Sequence, residues 1–442
     1  MYNNSVYLFM NTIRLGLKEN RRQFYLLVLV NAFVGGMVGL ERTILPQIAG
    51  IEFHIAAKTA IFSFIVVFGI VKAFTNYFTG IFANRAGRKK LLVLGWLFGL
   101  PVPFILMLAD SWNMVVLANV FLGINQGLAW SSTVIMKIDL VGEKNRGFAM
   151  GLNEFAGYLA VAIVAFFTGI LASEYGLRPI PFYLGAAIAI LGFLISLFFV
   201  RDTHQHVQLE ANTDTTPRLK NIFIDTTFKH KNLSSITQAG FVNNMNDGMV
   251  WGLLPLLLMS RHFPLAEIGF IAAVYPAVWG IGQLFSGKMA DYFCKKSMLA
   301  WGMMLQGIAL LLLVFAITAV QYITLMAILG WGTAMVYPSF LATVADNTHA
   351  LDRAKSMGIF RLWRDLGYAA GALLTGLMAD HFGINSSIIT IAVLTLISGA
   401  VVEHRMSCKT NAVKISPWFR SLFRRRPTHK DTFDSFNGGI LH

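Results

Sequence analysis

Charged residues are scarce in this chain. Asp, Glu, Lys and Arg make up 13% of its 442 residues, whereas hydrophobic residues make up 56%. A soluble domain carries about 25% charged residues. The deficit excludes an ordinary water-soluble protein, because most of the surface must face something other than water.

Several chemical signatures are also missing from the sequence. It has no Gly-x-x-x-x-Gly-Lys-Ser/Thr run, no His/Cys cluster with metal-ligand spacing and no Gly-x-Ser-x-Gly nucleophile motif. We therefore expect no nucleotide-driven pump, no metal, no cofactor and no enzymatic activity. Any work that the protein does must draw on a gradient of an ion or a solute.

Long apolar runs recur along the whole chain, each about 20 residues and so long enough to cross a bilayer. The runs are continuous rather than alternating, which indicates helices rather than a closed barrel. The sequence predicts an all-α polytopic membrane protein. The twelve predicted spans are 24–46, 58–83, 90–109, 112–136, 147–172, 180–200, 233–260, 266–290, 297–316, 319–345, 354–379 and 385–403.

The positive charge is distributed very unevenly between the two sides. The formal net charge is +14, yet only Lys58, Arg178 and Arg261 lie on the side opposite the termini and the polar 201–232 loop. Loops rich in Lys and Arg stay in the cytoplasm. The sequence thus predicts a bacterial-type inner membrane protein with both termini cytoplasmic, and the excess charge is a topology signal rather than a nucleic-acid site.

The ends of the chain support the same topology. We expect no cleavable signal peptide, because the first apolar run is too long and follows a basic arm. The run FRRRP at 423–427 predicts attraction to anionic lipid headgroups. Cys294 and Cys408 both fall on the predicted cytoplasmic side, so we expect no disulfide.

The two halves of the sequence are related by a shift of 207 residues. The loop GIFANRAGRKK at 80–90 falls on GKMADYFCKK at 287–296, and Arg146 falls on Arg353. One offset aligns about 95 residues of each half without a gap. An even number of helices per half gives both the same orientation, with a pseudo-two-fold axis along the membrane normal.

The repeat predicts two six-helix bundles, which we call the first and second halves. The predicted segments are an arm at 1–23, the first half at 24–200, a linker at 201–232, the second half at 233–403 and a basic tail at 404–442.

With its twelve spans, its repeat and its loop pattern of Gly, three residues, Asn or Asp, then basic residues, the chain resembles the major facilitator superfamily. The resemblance covers residues 20–405 and implies alternating access, in which two halves rock around a central cavity. It also implies a gating role for the loop residues. These are Gly80, Asn84, Arg85, Gly87, Arg88, Gly287, Asp291 and Lys295. We expect the protein to act as a monomer.

The first loop departs from the family pattern, because Asn84 stands where the family usually has Asp. An amide can cap a helix but carries no charge. Asp291 retains the charge, so we expect it to form the stronger latch, against the start of helix 5 near Gly147. The neighbouring basic residues have an alternative role, which is to enforce topology alone.

Eight ionisable residues lie inside the predicted spans, four of each sign. They are Glu41, Arg42, Lys72, Glu154, Asp247, Arg361, Arg364 and Asp365. Charge at this depth is costly and faces a cavity or a partner. One interpretation is a set of structural ion pairs, and the other is a substrate or coupling site.

Lys72 lies near the middle of its span, too deep for its side chain to reach water. We predict a role in substrate binding or coupling, with a structural ion pair as the alternative. In helix 11, Arg361 shares a face with Arg364 and is spaced to reach Asp365. The 207-residue shift places Arg361 on Glu154. That pair is either a gate or fixed scaffolding.

Helices 1 and 7 carry further polar candidates. Glu41 and Arg42 lie in the outer third of helix 1, and Asp247 lies in a similar region of helix 7. A desolvated carboxyl can take up and release a proton near neutral pH, so Asp247 and then Glu41 are the candidate proton sites. Asn243 and Asn244 either bind substrate or bond to neighbouring backbone.

The sequence therefore predicts a secondary transporter of a small organic solute, coupled to protons, with efflux favoured. One alternative is proton-coupled uptake of a polar or anionic solute, with Lys72 and Arg364 as the anion partners. Another is a transporter-like protein that flips or senses membrane lipid. The glycine-proline signature of the family's drug antiporters is missing from helix 5, which weakens the efflux hypothesis.

Overall fold

The computed structural model describes residues 13–42, 44–55, 58–142 and 145–408, and in these ranges the chain is helical with no strand. Twelve long helices are packed together. They are α1 (Arg21–Arg42), α2 (Lys58–Ala86), α3 (Arg88–Leu108), α4 (Trp112–Val141), α5 (Arg146–Tyr175), α6 (Ile180–Phe198), α7 (Lys231–Ser260), α8 (Leu265–Tyr292), α9 (Lys295–Leu313), α10 (Ala319–Asp346), α11 (Ala350–Phe382) and α12 (Ile384–Arg405).

These helices coincide with the predicted spans to within a few residues at each end. Within the described ranges, ten of them are long and apolar enough to cross a membrane. The other two, α7 and α11, have 30 and 33 residues. They hold the buried asparagines and charged residues, which lower their hydropathy. An all-α polytopic membrane fold is therefore confirmed.

Two spanning helices are interrupted. In α3 the segment Arg88–Gly99 ends where Pro101 begins a second segment, since proline has no N–H to continue the first. In α4 the residues Gln126–Trp130 form a π turn. A π turn is often found at functional sites, and this one ends on Trp130.

The linker between α6 and α7 contains a short helix, His204–Ala211, that we call the linker helix. We call the side of the bundle that carries it the linker face. Even-numbered helices end on this side and odd-numbered helices begin there, so α2 ends there and α5 and α11 begin there.

The two halves are in backbone contact near the linker face. A Cβ added to Gly80 of α2 would lie 2.5 Å from the Ala354 carbonyl oxygen and 2.9 Å from Gly358 Cα of α11. A Cβ on Gly287 of α8 would lie 2.7 Å from Gly151 Cα of α5. The 207-residue shift relates these two crossings. Only glycine allows helices to approach this closely, so the linker face is closed.

Two ion pairs within the halves obey the same shift. Arg88 Nε lies 3.2 Å from Asp139 Oδ2 in the first half. Lys295 Nζ lies 2.9 Å from Asp346 Oδ2 in the second. Each pair joins the start of one helix to the linker-face end of the next helix, so the duplicated sequence produces duplicated contacts.

A disulfide joins Cys294, at the start of α9, to Cys408, just after α12. The expectation of no disulfide was therefore wrong for this structure. The expectation rested on the compartment alone. It ignored that the two residues, 114 positions apart, are brought to a Cα–Cα distance of 5.7 Å by the packing of α9 on α12.

Candidate functional site

The first repeated loop, which follows α2, contacts the start of α11 in the other half. Asn84 Nδ2 donates to the Leu351 carbonyl oxygen at 2.6 Å, and Asn84 Oδ1 accepts from Arg88 Nη2 at 2.7 Å. Asn84 thus acts towards the other half as a donor, where a carboxylate could only accept. Gly87 has a φ of +89°, a left-handed conformation that favours glycine, and Arg85 is exposed.

The second loop makes the contact predicted for an acidic residue. Asp291 Oδ1 accepts from the Gly147 N–H at 2.7 Å, and Oδ2 accepts from the Phe148 N–H at 2.9 Å. These N–H groups belong to the first turn of α5, where the helix leaves donors unsatisfied and carries partial positive charge. The contact near Gly147 is present, and its role as a latch stays a prediction.

The linker helix supplies a carboxylate that joins the halves. Glu210 accepts two hydrogen bonds from Arg353 of α11, at 2.8 and 2.7 Å, and forms an ion pair with Arg146 of α5. Burial raises the pKa of the Glu210 carboxyl, but the bonds and charges of Arg353 and Arg146 outweigh it and hold the pKa below its usual value.

A second cluster of polar residues lies midway along the helices, where both halves contribute. Lys72, 14 residues from the end of the 29-residue α2, has its Nζ 5.5 Å from the Phe68 ring centroid and 5.6 Å from that of Trp130. Trp130 Nε1 lies 3.3 Å from Glu154 Oε1. Lys72 therefore lies in a cation–π environment inside the bundle.

Arg361 and Glu154 are brought together across the halves, as the repeat suggested. Arg361 Nη2 lies 3.9 Å from Glu154 Oε1, and both side chains are fully buried. Arg361 Nη1 is 3.3 Å from Ser131 Oγ, which also bonds Asn76 Oδ1. This long pair is compatible with either a gate or a scaffold, and both interpretations stay open.

Asp365 has a different partner from the one that helical spacing suggested. Its Oδ1 accepts from Arg364 Nε at 2.9 Å and Nη2 at 2.7 Å, and its Oδ2 accepts from Asn76 Nδ2 at 2.5 Å. The expected bond from Arg361 is replaced, because the long Arg364 side chain folds back onto the adjacent residue while Arg361 turns to α4 and α5. Asn76 extends the contact to the first half.

Asp247 lies in a group of hydroxyls on the second half. It is 4% exposed, accepts a hydrogen bond from the Tyr275 hydroxyl, and has the Tyr337 hydroxyl 3.4 Å from its Oδ2. The same Tyr337 hydroxyl is 2.8 Å from Asn244 Oδ1. Asp247 and Asn244 therefore belong to one hydrogen-bond network through the Tyr337 hydroxyl.

The other polar candidates lie elsewhere. Asn243 is fully buried, and neither of its side-chain polar atoms has a hydrogen-bond partner among the described residues. Asn246 faces α9 and α12, bonding Gln306 at 2.9 Å. Glu41 borders a small cavity between α1, α2 and α4. Arg42 ends α1, and its side chain lies outside the described part of the chain.

Aromatic rings lie between the charged cluster around Lys72 and Arg361 and the hydroxyl network around Asp247. Tyr158 of α5 and Trp279 of α8 have centroids 4.0 Å apart, and Trp279 lies 4.9 Å from Tyr337. Trp130 lies 5.7 Å from Tyr158. The centre of the bundle therefore combines charged groups with an aromatic wall that both halves build.

A family model described as Major Facilitator Superfamily matches residues 26–235 and again residues 236–425. The chain belongs to the major facilitator superfamily. It is accordingly a multi-pass membrane transporter that acts on small molecules and not an enzyme. The two consecutive matches agree with the repeat found in the sequence.

Similar proteins include two relatives named multidrug resistance protein MdtG. That of Citrobacter koseri is 24% identical over 367 residues, which cover 81% of this chain and 84% of the relative. That of Escherichia coli strain K12 / DH10B is 23% identical over 343 residues, covering 75% and 81%.

Two solved structures share the fold of this transporter. The human organic anion transporter MFSD10 (TETRAN) has a TM-score of 0.73 at 14% identity, covering 87% of this chain and 99% of that one. The transporter FucP in the outward conformation has a TM-score of 0.70 at 13% identity, covering 87% and 98%. At this identity, the likeness concerns the fold alone.

Sequence reasoning missed several residues of the transporter's two clusters. Lys137 is fully buried in α4 and donates to the Leu27 carbonyl oxygen at 3.0 Å. Its position in the apolar run STVIMKIDLV was a signal, but it fell just outside the predicted span. Glu210, in a polar linker, and the hydroxyls of Tyr275 and Tyr337 gave no comparable signal.

Proposed function

We propose that this transporter exports a small organic solute in exchange for protons. The observation that carries the proposal is the buried carboxyl of Asp247, midway along α7, beside the aromatic wall of Tyr158, Trp279 and Tyr337. Aromatic rings bind apolar bodies of many shapes. A buried carboxyl that opens to each side in turn can carry one proton per cycle.

The relatives favour export over uptake. Two of them are named multidrug resistance proteins, and each matches about four-fifths of its length to this chain. The charge bias of the loops supports a bacterial-type inner membrane with cytoplasmic termini. On this assignment the linker face is the cytoplasmic face, and it is the closed one.

The roles proposed for the other residues follow from their positions. Asp247 and Glu41 are the coupling sites, whereas Lys72, Arg364, Asp365, Asn243 and Asn244 border the path of the solute. The residues of the two repeated loops, with Glu154 and Arg361, control which side opens. We propose that the protein works as a monomer, because each half completes the other's contacts.

Inverted membrane vesicles test the proposal. Respiration acidifies their lumen, and a pH-sensitive dye reports the gradient. We expect that rhodamine 6G, fluorescein or chloramphenicol will dissipate the gradient and accumulate in the lumen only when the transporter is present. Vesicles without the protein are the control. Solute leaving the lumen together with protons would indicate uptake instead, and accumulation without proton flux would refute the coupling.

A further inference from the structure

The central cluster has cations whose hydrogen-bonding capacity is not filled. Arg361 is fully buried, yet its Nε and Nη2 have no hydrogen-bond partner among the described residues. Lys72 is half-buried, and no carboxylate oxygen in the described part of the chain lies within 4.0 Å of its Nζ, which lies 5.5 Å and 5.6 Å from the ring centroids of Phe68 and Trp130. A buried donor without an acceptor is costly.

The carboxylates of the cluster, by contrast, are already engaged. Glu154 Oε1 accepts from Asn153 at 2.6 Å and from Trp130 at 3.3 Å, which leaves Arg361 at a distance of 3.9 Å. Asp365 is occupied by Arg364 and Asn76 through both of its oxygens. Glu154 Oε1 and both oxygens of Asp365 therefore have partners within the protein, whereas Arg361 Nε and Nη2 have no hydrogen-bond partner among the described residues.

The charges around Lys72 and Arg361 are also unequal. The cations are Lys72, Arg361 and Arg364, and the carboxylates are Glu154 and Asp365. Asp247 belongs to the separate tyrosine network on the second half. Around Lys72 and Arg361 the field is therefore positive, and buried positive charge attracts a compensating anion.

From these contacts we infer that the transported solute is an organic anion whose anionic group binds between Lys72 and Arg361. Its apolar body packs against the rings of Trp130, Tyr158 and Trp279. Lys72 comes from the first half and Arg361 from the second, so one anionic group contacts both halves. This inference rests on the proposed transport function and names its substrate class.

Three matched probes test the inference without a proton gradient. 2-Naphthoate, 2-naphthamide and 2-naphthylmethylamine share one ring system and differ in charge. Equilibrium dialysis against the detergent-purified transporter at pH 7 gives a Kd for each. We expect 2-naphthoate to bind at least tenfold more tightly than the other two. Tighter binding of the amine, equal binding of all three or binding of none would overturn the inference.

Variants at Lys72 and Arg361 locate the anionic group. Lys72→Gln should weaken 2-naphthoate binding at least tenfold and leave 2-naphthamide unchanged, while Lys72→Arg should keep most of the affinity. Arg361→Gln should act in the same direction if it folds. Lys220→Gln, which changes an exposed lysine of the linker, is the matched control. Unchanged affinity for 2-naphthoate in Lys72→Gln would place the anion elsewhere and contradict the assignment.

The two proposals fail separately. Proton-coupled export that prefers rhodamine 6G to fluorescein, with weak binding of 2-naphthoate, would leave the export function standing and refute the anion. Tight, Lys72-dependent binding of 2-naphthoate without any proton flux would support the anion and refute proton-coupled export.

Discussion

Glu210 and Arg353 form a double hydrogen bond, with oxygen–nitrogen distances of 2.8 and 2.7 Å, between the linker and the first turns of α11. Arg146, the residue that the 207-residue shift relates to Arg353, binds the same carboxylate from α5. Two arginines made equivalent by the repeat thus converge on one acidic residue. The linker is therefore part of the contact that closes this face.

Replacing Glu210 with Gln should favour opening at the linker face. Gln keeps the shape but leaves two buried guanidinium groups without their shared negative charge, and breaking such a pair costs about 3–5 kcal/mol. Spin labels at Arg85 and Tyr292, both exposed ends of helices from different halves, report the distance by electron double resonance. We expect a population at longer distance than in the wild type.

The labels require a background in which Cys294 and Cys408 are replaced by Ser. Glu174→Gln, an exposed residue at the opposite end of α5, serves as the matched control and should leave the distance unchanged. An identical distance distribution in Glu210→Gln and wild type would show that the linker carboxylate does not hold the face closed.

The contribution of Glu210 should depend on pH in one direction. Because its pKa is depressed in the folded protein, it stabilises the fold above the unfolded-state pKa of about 4.5 and loses this effect as the pH falls through the folded value. The difference in Tm between wild type and Glu210→Gln should be full at pH 6 and shrink below about pH 4.5. A difference that grows on acidification would contradict this assignment.

Restoring an acidic residue at position 84 should weaken the closed state. Asn84 donates to the Leu351 carbonyl oxygen at 2.6 Å, and a carboxylate there would place two acceptors in contact. We expect Asn84→Asp to open the linker face more than Asn84→Ala, which removes the donor without adding charge. The expected cost is about 1–3 kcal/mol. The same spin-label pair measures it, and a more closed face in Asn84→Asp would refute the argument.

Changing Asp247 to Asn should separate solute movement from proton movement. The amide retains an acceptor for the Tyr275 hydroxyl but cannot exchange a proton. In proteoliposomes we expect downhill solute exchange to continue, while accumulation driven by a pH gradient falls at least tenfold. The control is Ser132→Ala, which removes a buried hydroxyl from α4. Asn246→Asp is unsuitable because Asn246 bonds Gln306. Full gradient-driven accumulation in Asp247→Asn would exclude it as a coupling site.

The sequence predicted the helices well because continuous apolar runs and basic loops are local signals. It also predicted which repeated residues would meet, since Asp291 reaches the start of α5 and Arg361 lies near Glu154. It did not predict side-chain direction. The choice of Arg364 over Arg361 as the partner of Asp365 depends on rotamers and on what α4 and α5 offer.

Contacts that depend on distant segments were beyond sequence reasoning as well. The Cys294–Cys408 disulfide and the binding of Glu210 by Arg146 and Arg353 both join segments far apart in the chain. A residue in a polar linker or tail has no apolar pattern around it that would fix its position. Only the packing of the twelve helices brings such residues together.

The glycine crossings at Gly80–Gly358 and Gly151–Gly287 affect how well the membrane is insulated. Helices that touch backbone to backbone leave no width for a file of water molecules, and protons leak readily along such files. The proton exchange that we propose requires that this leak be prevented each time one side is closed. The close approach of these four glycines therefore leaves no room for such a file at the linker face, and a methyl group added at one of them would push two backbones apart.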